Sequence, residues 1–166
     1  AAFLQFLQQQ EKLQPAYAYE LAHFEWAEMA VEISTEDIDM TDIEEDADMM
    51  SGTPAISPVL WLLTYQYPVH RIAPDHADVD MGEQPYCYAL WRQKDFGLRT
   101  ESIDAAFFLL LQQMQQHADL TSVEHIQCWV QHFPEADQQH WQEQGKALLA
   151  LAVAEDMVLG RHKERL

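Results

Sequence analysis

Glu20 and His23 stand three residues apart in Glu20-Leu21-Ala22-His23, a spacing that on a helix sets a carboxylate and an imidazole on one face, as ferritin-like di-metal sites require. Such a site also needs a second copy of the motif and further glutamates. The nearest echo, Asp137-Gln138-Gln139-His140, is chemically poorer and belongs to another part of the chain. The spacing is therefore read first as the polar face of a packed helix, and no metal is expected. His70 and Arg71 are adjacent in Tyr67-Pro68-Val69-His70-Arg71-Ile72. An imidazole titrating near neutrality beside a guanidinium that grips carboxylates bidentately is the raw material of a catalytic base with an anion clamp. No nucleophile accompanies them in a recognisable motif, and the other reading is that both side chains tie an irregular strand end to neighbouring carbonyls or acids. The sequence holds no P-loop, dinucleotide fingerprint, nucleophile elbow or HExxH. It reads as a protein that is not an enzyme and carries no cofactor of its own.

The charge balance narrows the partners. Among 166 residues, 9 Lys and Arg face 28 Asp and Glu, a formal net charge of −19 that a phosphate backbone or an anionic membrane would repel. The cations are dispersed along the chain, and only Arg92, Lys94 and Arg99 gather within the folded region, with Trp91 beside them. A sheet edge offers unpaired N–H and C=O groups to which an extended peptide adds as another strand, and a basic spot next to it would favour an acidic peptide. The plainer alternative is an ordinary solvated hairpin turn. Cys87 and Cys128 lie far apart with no CxxC spacing, which suits a reducing, cytoplasmic setting. No apolar run approaches the roughly 20 residues of a membrane span. The first residue is not Met, so the sequence is read as a fragment or processed form whose amino-terminal portion is missing.

The elements that would position these residues follow from periodicity. The stretch from Ala16 to Ile33 reads as an amphipathic helix burying Ala18, Ala22, Trp26, Met29 and Ile33. The acidic run from Glu36 to Asp48 has no basic residue and no EF-hand spacing, and reads as a solvated loop leading to a linker at Ser51–Pro54. Leu63, Tyr65, Tyr67 and Val69 alternate as a half-buried strand would, at an edge or in a segment that stops at Pro68. Tyr86 to Trp91 and Leu98 to Glu101 form a hairpin. Three helices follow: one capped by Ser102 with Ile103, Phe107, Leu110, Leu111 and Met114 inward; one opened by the Thr121–Glu124 capping box with Val123, Ile126, Val130 and Phe133 inward; and one from near Glu135 burying Trp141, Leu148, Leu149 and Ala152. The fold class is α+β: a helical segment with an acidic loop over residues 1–50, a small winged-helix-like domain of hairpin plus three helices over 55–160, and a loose tail over 161–166.

Three segments together resemble the carboxy-terminal half of the HvfC/BufC-type proteins, a family of unknown function that has carried a DNA-binding label: Glu20-Leu21-Ala22-His23-Phe24-Glu25-Trp26, Ser57-Pro58, and Tyr67-Pro68-Val69-His70-Arg71-Ile72. The layout matches from about Pro15 to Gly160. The resemblance implies a non-catalytic partner of a multinuclear non-haem iron oxidase, one that binds the leader of a ribosomally made precursor peptide and presents it for cysteine modification. It assigns Glu25, Trp26, Pro68, His70 and Arg71 to architecture and contact with the oxidase. Trp91, Arg92, Lys94 and Arg99 are assigned to peptide binding from charge and position, with the corollary that reversing Arg92 and Arg99 together weakens binding without unfolding. The alternative function is a DNA-binding regulator, which the layout and label favour and the charge opposes.

Overall fold

The computed structural model describes residues 2–9, 15–45, 48–73, 75, 79–80, 82 and 84–163. In chain order the elements are α1 (Ala2–Gln8), α2 (Ala18–Glu32), β1 (Ile43–Glu44), β2 (Pro54–Ile56), β3 (Trp61–Tyr65), β4 (Tyr86–Arg92), β5 (Leu98–Ile103), α3 (Ala105–Gln116), α4 (Ser122–Val130), α5 (Gln138–Ala154) and β6 (Val158–His162). The architecture is α+β, with two three-stranded sheets ordered β3-β4-β5 and β1-β6-β2.

The larger sheet organises the molecule because β4 is apolar on both faces. Its sequence, Tyr-Cys-Tyr-Ala-Leu-Trp-Arg, offers no polar face to solvent, and Cys87 through Arg92 are all buried. On one side Tyr88 and Leu90 pack with Tyr65 and Val69 against Phe24, Ala27 and Val31 of α2. On the other, Ala89 and Trp91 pack with residues of α3, α4 and α5. The sheet is thus a middle layer between α2 and the three later helices.

This places a different face of α2 inward from the one its apolar residues suggested. Phe24, Ala27 and Val31 are buried, whereas Met29 and Ile33 are exposed. Helical periodicity permits two overlapping stripes here, and the sheet's aromatic surface selects the one that carries Phe24. Pro68 ends the strand early: β3 stops at Tyr65, and Val69–Arg71 form a 3-10 turn rather than continuing the alternation. β5 runs two residues beyond the expected hairpin, so Asp104, not Ser102, caps α3, its carboxylate accepting the Phe107 N–H at 2.8 Å. The capping box at Thr121 and Glu124 forms as expected, with the Thr121 N–H donated to the Glu124 carboxylate at 2.8 Å. Val123, however, is exposed, and Ser122 and His125 take inward positions beside Ile126.

The carboxy-terminal stretch is not loose up to Lys163. Arg161 and His162 lie in β6, which pairs antiparallel with β1 and β2 and so fastens part of the acidic run to the body. Gly160 permits this approach: its φ is +143°, and a Cβ there would sit 2.5 Å from the Glu44 carbonyl oxygen. Arg161 pairs with Glu44, and the Lys163 N–H donates to the Asp42 carbonyl at 2.9 Å. The last part of the expected tail, 164–166, lies outside the described residues.

One pH dependence follows from packing alone. His125 is fully buried, and burial pushes its imidazole below the usual 6.5, with nearby His117 acting in the same direction against the pull of Glu124 and Asp119. The native state holds the ring neutral while the unfolded chain takes up a proton below that value, so stability is retained above about pH 6.5 and falls as the pH drops toward the depressed native value. His70 is shifted the same way, by burial and then by Arg71. Denaturant titrations near pH 7.5 and near pH 5.5 should show a lower midpoint at the acid pH, and His125→Asn should reduce the difference. An unchanged midpoint would contradict this account.

Candidate functional site

The Glu-x-x-His segment and the Tyr-Pro-Val-His-Arg-Ile segment meet at the docking of α2 onto the sheet. The Glu20 carboxylate accepts the backbone N–H groups of Gln66 and Tyr67 at 3.1 and 2.9 Å, satisfying donors freed where β3 ends before Pro68. His23 Nδ1 and the Tyr65 hydroxyl are hydrogen-bonded at 2.7 Å. Arg71 Nε donates to His70 Nε2 at 3.3 Å, which leaves the His70 proton on Nδ1 to be donated to the Tyr88 hydroxyl at 2.7 Å. Burial pushes the Tyr88 phenol up to about 12 and the Tyr65 phenol higher still, so both remain protonated at neutral pH. Trp26 packs on Trp61 with ring centroids 5.9 Å apart, and Pro68 is buried at the start of the 3-10 turn. Glu25, His70 and Arg71 are exposed.

The hairpin residues separate into three environments. Trp91 is 0% exposed, and its indole Nε1 donates to the Glu155 carbonyl at 2.5 Å. Arg92 is 7% exposed and forks to the Ser34 and Glu36 carbonyls at 2.6 and 2.5 Å, with its guanidinium 5.7 Å from the Phe96 ring centroid. Because β4 is the central strand, its alternate residues are buried on both faces, and neither Trp91 nor Arg92 is placed to meet a peptide directly. Lys94 pairs with Glu45 at 2.8 Å and Asp156 at 3.4 Å, so its charge is already matched. Arg99 is exposed, its Nε donating to the neutral Gln93 Oε1 at 2.7 Å.

One open feature is the edge of β5, an outer strand of the sheet as β3 is on the other side. The hairpin closes with the Gln93 N–H donated to the Gly97 carbonyl at 2.9 Å, and the register pairs Trp91 with Arg99, Ala89 with Glu101 and Cys87 with Ile103. Antiparallel alternation then turns the N–H and C=O of Leu98, Thr100 and Ser102 away from β4, toward an edge that no described strand occupies. Alongside runs a cavity of about 360 Å³ between β5 and α5, walled by Glu101, Ile103, Leu148, Leu151 and Glu155. A second opening at Asp104, Trp141 and Leu148 continues it along α5. Leu151 is 46% exposed there. These residues were missed in the sequence; the signal lay in Leu151, an apolar side chain beside the buried Leu149–Ala152 stripe, and in the Glu101/Ile103 alternation of the longer β5.

The fold and this site define an α+β domain with an antiparallel sheet whose last strand is open beside a helix-walled groove, and no described helix is long and apolar enough to cross a membrane. Residues 57–152, more than half of the chain, match the model of the HvfC C-terminal domain, and the chain belongs to that family. No curated protein matches it.

Proposed function

We propose that this chain is a non-catalytic, cytoplasmic partner protein that takes up a ribosomally made precursor peptide as an added strand on β5 and presents it to a multinuclear non-haem iron oxidase. The observation that carries the reading is the free β5 edge lying beside the α5 groove, which together supply main-chain partners and side-chain pockets for an extended peptide. Membership of the HvfC C-terminal family supports it. The three-stranded sheet followed by three helices is a winged-helix-like layout in which the hairpin serves as the peptide platform. Arg99 remains the cation available to the peptide, with Lys94 contributing through the acids it organises. The exposed Glu25, His70 and Arg71, held in place by Trp26 and Pro68, make the oxidase-facing surface.

A photo-crosslinking residue at Ser102 of the full-length protein, expressed in its native cell, tests this. Mass spectrometry of the adducts should identify a short cysteine-containing precursor, and affinity purification should recover the iron oxidase. Adducts to DNA, with nuclease-sensitive retention, would replace the proposal with a DNA-binding regulator.

A further inference from the structure

We infer that the groove between β5 and α5 selects a strand carrying a cationic side chain and an apolar side chain two residues apart on its helix-facing side. This preference presupposes strand addition at β5 and reverses the acidic peptide expected from the hairpin's basic residues.

The polarity of the groove follows from its two walls. Trp91 bonds to Glu155 and pairs across the sheet with Arg99, whereas Leu148 lies by Ile103 and Asp104, so α5 runs antiparallel to β5. Glu101 and Glu155 therefore stand at one end and Ile103 with Leu148 at the other. Neither the Glu101 nor the Glu155 carboxylate has an ion-pair or hydrogen-bond partner among the described residues. Asp104 adds a further carboxylate, already accepting the Phe107 N–H. Of the hairpin cations, Arg92 is buried on backbone carbonyls, Lys94 is matched by two acids, and Arg99 is turned to Gln93. The charge presented to a guest is thus net negative at the Glu101 end, where two unpaired carboxylates outweigh Arg99 on the same strand face, whereas at the Ile103 end the one carboxylate, Asp104, is engaged in capping α3.

An added strand repeats every two residues, so the side chains it points toward α5 lie level with alternate β5 positions. The guest position level with Glu101 meets two unpaired carboxylates, and its neighbour two residues away meets Ile103, Leu148 and the exposed Leu151. A Lys or Arg at the first and a Leu, Val or aromatic residue at the second complement both. An acidic residue at the first would place like charges opposite one another.

The test uses fluorescein-labelled synthetic peptides of about nine residues, long enough to cover the edge. They alternate threonine with leucine and differ only in a Lys or a Glu two residues from the central leucine, in both sequence orders. By fluorescence anisotropy, the Lys peptide of one order should bind about tenfold tighter than its Glu counterpart, and the gap should narrow with salt. E101Q/E155Q should remove the gap, while E32Q/E135Q, which changes the net charge equally on exposed acids elsewhere, should leave it. Equal binding of Lys and Glu peptides, or a gap that the remote pair removes as well, would overturn the charge preference. Strand addition is judged separately by Ser102→Pro, which deletes one outward N–H at an edge position that tolerates proline, with Thr100→Pro as a second variant if the first fails to fold. Loss of peptide binding in a folded proline variant upholds strand addition even where the charge preference has failed. Binding that survives it, or no binding by any peptide, would overturn strand addition and the inference together.

Discussion

Trp91→Ala is expected to lower stability by about 3–5 kcal/mol, the range for removing a large aromatic side chain from a packed core. That is a large fraction of the roughly 5–15 kcal/mol that a domain of this kind holds in reserve, so the variant should melt far below the parent or fail to accumulate. The indole is 0% exposed, packs with Ala89, Phe107 and Met157, and donates its N–H to the Glu155 carbonyl just past the end of α5. That bond links the middle of the sheet to the last turn of the helix that walls the groove. Trp91→Phe separates the two contributions: most of the packing stays, the bond goes, and the loss should fall to about 1–2 kcal/mol. Urea titrations followed by far-ultraviolet circular dichroism measure both, and a Trp91→Ala protein with an unshifted midpoint would refute the assignment of Trp91 to the core.

How much of this was legible beforehand depends on whether a signal was local. The capping box at Thr121 and Glu124 was, because it is written in two side chains that satisfy one another's backbone. The hairpin was legible too, and so were the family motifs. The inward face of α2 was not. Two apolar stripes coexist in Ala18–Glu32, and the choice between them is made by Tyr65 and Tyr88, which reach α2 from strands far along the chain. The fate of the basic cluster was hidden for the same reason. Arg92, Lys94 and Arg99 look alike as a count of charges, but a central strand buries Arg92, distant Glu45 and Asp156 claim Lys94, and Arg99 is left exposed beside a neutral glutamine. The groove arises from the packing of α5 against β5, a contact between elements that no spacing rule connects.

The buried guanidinium leads to the second large effect. Arg92→Met should cost about 2–4 kcal/mol, because it leaves the carbonyls of Ser34 and Glu36 without their charged donors where the chain leaves α2. Arg92→Lys should recover little of this, since an ammonium on a flexible stem does not reproduce a planar fork held to two carbonyls. Hydrogen exchange gives the distinguishing readout. Protection should fall first over the last turn of α2 and through residues 33–45, the segment that Arg92 ties from one side and β6 from the other. Arg99→Met, at an exposed position bonded to Gln93, should leave both the melting temperature and this protection pattern near the parent's. The double charge reversal at Arg92 and Arg99 is therefore expected to unfold the protein rather than to report on peptide binding, and the single change at Arg99 is the informative one. A stable Arg92→Met protein with unaltered exchange over 33–45 would show that the acidic segment is held by β6 alone.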